Sequence, residues 1–136
     1  MPELENLLQH EAGLKALAGT ADVRELLGRD DAAAELALEL FCYRIQKCVG
    51  AYLAALEGAE AVVFTGGIGE HAPEIRRRVC ERFGWAGLTL DVERNQRNDL
   101  RLSAEGSRLA AYAIPTDEEY LIARETFTLM ASHESP

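Results

Sequence analysis

The sequence predicts an α/β fold, a small and mostly parallel sheet with helices packed against it. Three observations carry this expectation. The run Ala61-Val62-Val63-Phe64 is apolar without alternation, the pattern of a strand buried on both faces. Glycines follow it, and then a one-sided apolar pattern with helical spacing, which is the strand–turn–helix order of a parallel unit. The same order recurs over 108–130, where an apolar segment stops at Pro115 and a second helical pattern begins.

Taken in order, residues 1–9 carry Leu4, Leu7 and Leu8 and read as a short helix. Residues 10–24 are punctuated by Gly13 and Gly19 and read as irregular. Thr20 or Asp22 is placed to cap a short helix there. Alternatively, Arg24 offers a planar guanidinium that suits pairing with, or stacking on, a ligand. The longest element is a helix over 31–57. Leu38, Phe41, Ile45, Cys48, Val49, Tyr52, Leu53 and Leu56 recur at steps of three and four. Asp30 or Asp31 caps its start, and Gly58 stands where it ends. Leu36 and Leu40 add a second apolar edge, so cover on more than one side is expected. Arg44 and Lys47 interrupt that edge and are expected to be solvated or paired.

The segment Thr65-Gly66-Gly67-Ile68-Gly69-Glu70-His71-Ala72-Pro73 joins the first strand to a helix. Gly66, Gly67 and Gly69 permit positive φ and leave room for a ligand. Pro73 suits a first helical turn. The segment either turns the chain and nothing more, or presents free N–H groups to an anion or a polar ligand edge. It matches neither the G-x-G-x-x-G fingerprint nor a Walker A loop, so a bound nucleotide would be held by backbone and shape without a P-loop lysine. Ile75, Val79 and Phe83 then form a one-sided stripe that Gly84 ends. Arg76, Arg77, Arg78 and Arg82 lie off it and read as a solvated face with acidic partners.

Residues 88–91 read as a short strand, 92–106 as a polar loop, and 107–114 as the next strand. Thr116-Asp117-Glu118-Glu119 reads as a capping box, with Thr116 as N-cap and Glu119 at N3. Asp117 and Glu118 either serve the helix dipole or offer a carboxylate to a divalent cation. The tail 131–136 is expected to be disordered. In parallel sheets, ligands bind beyond the carboxyl ends of the strands. The glycine segment and Glu118 both lie at those ends, which favours a nucleotide or nucleotide–metal site.

A chain of 136 residues suffices for one domain. Its net charge of −9 argues against a sequence-independent nucleic-acid surface, though not against a nucleotide ligand. No apolar run reaches the ~20 residues of a membrane span, and the N-terminus lacks signal-peptide character, so a cytoplasmic protein is expected. Cys42, Cys48 and Cys80 are odd in number and form no C-x-x-C, which reads as buried free thiols.

Four stretches resemble the acetate kinases, members of the actin–hexokinase–Hsp70 phosphotransferase superfamily. Val62-Val63-Phe64-Thr65-Gly66-Gly67-Ile68-Gly69-Glu70 looks like the family's late glycine motif. The stretch from Gly13 to Gly19, with Asp22-Val23-Arg24, is similar to its Gly-rich and Asp-x-Arg stretch. Residues 41–52 resemble its long helix. Ile114-Pro115-Thr116-Asp117-Glu118-Glu119, followed by Ile122-Ala123-Arg124, resembles its C-terminal signature. The four occur in the family's order over nearly the whole chain.

The resemblance implies one partial domain over 1–136, the C-terminal part of a ribonuclease H-like, actin-like ATPase domain. It implies Mg²⁺-assisted, reversible phosphate transfer from ATP to a short-chain carboxylate, giving ADP and an acyl phosphate. By resemblance, Asp22, Val23 and Arg24 lie beside the nucleotide. Gly67, Ile68, Gly69, Glu70 and His71 form the loop at its adenosine end, so the glycine segment meets adenosine and not chiefly the phosphates. Glu118 helps place Mg²⁺. The family usually has Asn at the position of His71, which bears on nucleotide preference. The family's catalytic residues belong to segments earlier than those matched. No catalytic residue is therefore expected in this chain, and the chain alone is expected to be inactive without the N-terminal kinase portion. A homodimer through the C-terminal region is also implied. The alternatives are a non-catalytic nucleotide-binding or dimerisation module, and part of a propionate or butyrate kinase.

Overall fold

A computed structural model describes residues 2–133, apart from the side chains of Pro2, Glu3, Glu118 and residues 131–133. The first helix, α1 (Pro2–Asn6), runs into a π-helical turn, Leu7–Glu11. The stretch expected to be irregular holds two short helices, α2 (Leu14–Ala18) and α3 (Val23–Leu27). Asp22 caps α3, accepting the Arg24 N–H at 2.8 Å. Thr20 instead donates its hydroxyl to Glu25 and accepts the Asp22 N–H.

The long helix, α4 (Ala32–Ala55), spans roughly 36 Å at 1.5 Å per residue. Asp31 caps it through the N–H groups of Ala33 and Ala34. Its buried face is Ala34, Ala37, Leu38, Cys42 and Leu53. Small residues there let α2, α3 and α6 (Pro73–Glu81) pack closely on it. At its end, Gly58 N–H bonds to Leu53 O and Glu57 N–H to Ala54 O, the two bonds of a Schellman motif. The left-handed residue at the turn is Glu57 (φ 57°), one position before the glycine expected to supply the stop. The second apolar edge expected to be covered is open, since Leu36, Leu40 and Tyr43 are exposed. Cys48 is exposed as well, while Cys42 and Cys80 are buried.

The sheet has two strands, β1 (Ala61–Phe64) and β2 (Ala110–Ala113), paired in parallel with Ala61 opposite Ala110 and Phe64 opposite Ala113. The far edge of β2 is taken by residues 100–103, through Leu102 N–H to Ala111 O and Ala113 N–H to Leu100 O. Burial on both faces was expected for 61–64, but Val63 is 48% exposed. β1 is the outer strand among the described residues, and the sheet face to which Val63 points is left partly open.

Between the strands lie α5 (Gly66–His71), α6, a 3₁₀ turn at Gly84–Ala86 and α7 (Val92–Gln96). The glycine segment is thus itself a short helix. Of its three glycines only Gly66 has positive φ. Pro73 stands at the start of α6, as its missing N–H favours. Ile75, Val79 and Phe83 are buried as expected. The helix stops at Glu81, before Gly84. The 88–91 segment makes one bridge, Leu90 to Ser103, instead of a strand. The expected polar loop contains α7, capped by Asp91.

The last helix, α8 (Glu118–His133), includes 131–133, where a disordered tail was expected; 134–136 lie outside the described residues. Tyr120, Leu121, Ile122, Phe127 and Met130 on this helix are all exposed. Among the described residues no helix is long and apolar enough to cross a membrane.

Candidate functional site

The N-terminal ends of α3 and α5 face a common cavity of about 770 Å³, lined by residues 21–24 from one side and by Thr65, Gly66, Gly67, Ile68 and His71 from the other. Two segments about forty positions apart in sequence are thereby joined. Arg24 is 85% exposed and held in a fork by Asp22, Nε to Oδ1 at 3.2 Å and Nη2 to Oδ2 at 3.0 Å. That pairing, with the Arg24 N–H, holds the Asp22 carboxyl below its ordinary range. The fork aligns the guanidinium plane without covering it, which leaves a flat cationic surface for a stacked or anionic group. Val23 is core, 3% exposed, and anchors the turn.

On the other wall, an added Cβ at Gly66 or Gly67 would meet nothing within 4 Å, so the backbone itself lines the space. Gly69 faces inward, and a Cβ there would lie 3.1 Å from the Phe64 carbonyl carbon. Its glycine lets α5 lie against β1. The imidazole of His71 is 75% exposed, with Nε2 3.9 Å from Glu70 Oε2.

Glu70 is turned the other way. Its Oε1 accepts the Gly66 N–H at 2.8 Å, the Thr116 N–H at 3.0 Å and the Thr116 hydroxyl at 3.0 Å. These bonds, the Thr116 N–H first, hold its carboxyl below the ordinary range. The Gly66 N–H is therefore occupied by a carboxylate and is not free to meet a ligand. A second cleft, about 350 Å³, lies along this contact between Gly66, Gly67, Glu70 and His71 and the turn holding Thr116, Asp117 and Glu119.

That turn departs from the expected capping box. The N-cap of α8 is Asp117, whose Oδ1 accepts the Tyr120 N–H at 2.8 Å. Thr116 is drawn away by Glu70. The Glu118 side chain lies outside the described residues. Among those described, no group of three or more His, Cys, Asp or Glu side chains is placed to hold a metal ion. A hard cation here would have to draw most of its oxygens from a bound phosphate or from elsewhere.

Arg76 is what the sequence reading missed. Its place in the arginine run predicts a solvated face, yet it is fully buried. All five guanidinium N–H groups have acceptors. Nε donates to Asn95 Oδ1 (2.8 Å), Nη1 to Gly69 O (2.8 Å) and Glu70 O (2.7 Å), and Nη2 to Asn95 O (2.7 Å) and Asn98 Oδ1 (2.6 Å). Burial lowers its pKa, but arginine stays charged. No carboxylate pairs with it among the described residues. Its charge is met by carbonyls in the last turns of α5 and α7, the negative ends of those helices. The arginine therefore fixes the end of α5 from beneath. Ala72 and Cys80, four residues to either side, are both buried, and that spacing was the available signal. Arg77 and Arg78 do pair as expected, with Glu74, Glu81 and Glu35.

The parallel strand pair with its packed helices is an α/β portion of the actin-like ATPase fold. Solved kinase structures share it, two of them as follows. A propionate kinase from Francisella tularensis subsp. tularensis SCHU S4 matches with a TM-score of 0.84 and 33% identity over 92% of this chain and 33% of that one. Porphyromonas gingivalis acetate kinase matches with a TM-score of 0.82 and 34% identity over 93% of this chain and 34% of that one. The acetokinase family model matches residues 1–124, and the chain belongs to that family. The acetate kinase of Rhodopseudomonas palustris (strain TIE-1) is 52% identical over 130 residues, 93% of this chain and 33% of that protein. The chain thus spans about a third of the length of the curated relatives it matches.

Proposed function

We propose that these 136 residues are the nucleotide-side portion of an acetate kinase, which transfers phosphate reversibly between ATP and acetate. Asp22, Val23 and Arg24 on one wall and the glycine helix with Gly67, Ile68, Gly69, Glu70 and His71 on the other form the adenosine end of the ATP or ADP site, with Gly69 and Glu70 seating that helix from behind, and Glu118 helps place Mg²⁺. The observation that carries this reading is the convergence of residues 21–24 and the glycine helix on one cavity. No residue of this chain is proposed as catalytic, because phosphoryl transfer needs groups around the γ-phosphate that these motifs do not supply. In a cell we place the portion in the cytoplasm, working with an N-terminal kinase portion that carries the carboxylate site. The open row Leu36, Leu40 and Tyr43 on α4 is the surface we assign to a second subunit.

Calorimetric titration with ADP and ATP tests this reading. Saturable binding is expected, without acetyl phosphate formation in a coupled assay. Absence of binding, or turnover at the rate of a complete kinase, would refute it. The likeness to a propionate kinase favours a second reading that differs only in the acceptor, propionate in place of acetate. Comparing the two acids after adding the N-terminal kinase portion decides between them.

A further inference from the structure

We propose that Glu70 is a positioning residue that locks the glycine helix to the turn ahead of α8, so that the nucleotide wall and the acidic turn move as one body. The role rests on the nucleotide reading above. Three bonds converge on a single oxygen, Oε1, one from Gly66 in its own helix and two from Thr116, 46 positions further along the chain. The Gly66 bond uses the first N–H of α5, and Thr116 stands immediately before the Asp117 cap. The Glu70 side chain is 13% exposed, while its partner Thr116 lies on the surface. The Glu70 carbonyl is at the same time held by the buried Arg76. The residue is thus fixed through its backbone from the core and reaches with its side chain to the far turn. Of the two ends it joins, one lines the 770 Å³ cavity and both line the 350 Å³ cleft. A nucleotide whose base and sugar rest on the first and whose phosphate-bound cation meets the second would find both already aligned. Binding then costs less ordering of the site.

Because all three bonds use one oxygen, Glu70→Gln can keep them with its amide oxygen, whereas Glu70→Ala cannot. Three measurements on the whole chain test the lock. In amide hydrogen exchange, Glu70→Ala should release the Gly66 and Thr116 N–H groups together, while Ile114 N–H, bonded to Phe64 O, stays protected. Glu70→Gln should leave all three protected. In ADP titrations with Mg²⁺, Glu70→Ala should lose about tenfold or more in affinity, and Glu70→Gln should recover most of it. Thr116→Val, which removes only the hydroxyl bond, should lose a few-fold, and the pair Glu70→Ala/Thr116→Val should lose less than the product of the single effects. Additive losses, or a Thr116 amide that stays protected in Glu70→Ala, overturn the proposal. A native chain that binds no ADP overturns the nucleotide reading instead, and the exchange pattern then decides on the lock alone. Should Glu70→Ala not fold, Thr116→Val against the native chain still decides it, since an unchanged ADP affinity there counts against it.

Discussion

Arg76 Nε donates to the side-chain oxygen of Asn95 at 2.8 Å, and neither residue is more than 1% exposed. The amide nitrogen of Asn95 in turn donates to Pro73 O, so helices α6 and α7 exchange bonds through this pair. Replacing Arg76 by Met would keep the stem and strip five acceptors of their donors. Each buried unsatisfied group costs on the order of 1–3 kcal/mol, so with partial relaxation a total loss of about 3–5 kcal/mol is expected. Arg76→Lys should recover little, because an ammonium cannot span the fork. Urea unfolding measures this as a lower midpoint at unchanged slope. A loss below about 1 kcal/mol would mean that water replaces the guanidinium at little cost.

Glu74 sets an acid limit on the ion-pair cluster of α6, whose Arg78 also reaches Glu35 on α4. Arg77 first, and then Arg78, hold its carboxyl down at about 2. The folded carboxyl takes up its proton less readily than the unfolded one. It therefore contributes stability above about pH 4.5 and loses it as pH falls towards 2. With 36% of the side chain exposed, solvent screening keeps this to about 1 kcal/mol or less. Glu74→Gln should flatten that part of the pH profile of the urea midpoint. An unchanged profile would assign the acid sensitivity to other carboxylates.

Two glycines of α5 should respond differently to the same methyl group. Gly69→Ala presses on the backbone of β1 and should cost about 1–3 kcal/mol of stability, the usual range for overpacking. Gly67→Ala meets open space and should leave stability within about 0.5 kcal/mol. Its methyl points into the cavity region and should weaken ADP binding. Thermal melts and calorimetry on the two variants separate fold from site, and equal melting shifts would contradict the assignment.

The start of α8 belongs to Asp117, not Thr116. Asp117→Ala should cost about 1 kcal/mol of helix stability, read as lost circular dichroism at 222 nm and faster exchange of the Tyr120 amide. Thr116→Ala should leave that amide unchanged. The reverse result would restore the capping box.

Burial pushes the Cys80 thiol up to about 12, and burial also raises that of Cys42. Cys48 is exposed. Since the thiolate is the reacting form, iodoacetamide at pH 8 should alkylate one cysteine in the folded chain. Peptide mapping should find the label on Cys48. Label on Cys80 without denaturant would show that α6 opens locally.

Much of the frame was legible because the relevant signals are local. Asp31 as cap, the spacing of Ile75, Val79 and Phe83, and the apolar run at 61–64 depend only on neighbours along the chain. The glycine segment and Asp22–Arg24 were also recognisable as motifs. Their meeting across one cavity is a tertiary fact. What stayed hidden was decided by partners distant in sequence. Arg76 looks like any charge in an arginine run until Asn95 and Asn98 arrive to accept its protons. Thr116 has the spacing of a cap, but a carboxylate 46 residues earlier outbids the helix for its N–H and hydroxyl. α7 went unseen because its five residues are mostly polar; its buried Asn95 is a hydrogen-bonding element, not an apolar one.

The parallel pairing of Ala61 with Ala110 also governs how the chain acquires its shape. No hairpin can make this contact. It closes a loop of about fifty residues, whose entropy must be spent before the ladder returns anything. Within that loop, α5, α6 and α7 are already tied to one another by Arg76, which draws its acceptors from residues 69–98. Docking of that subassembly shortens the effective span that remains for the strands to find each other. The arginine that seats the glycine helix thus also gathers the helices that bridge the two strands.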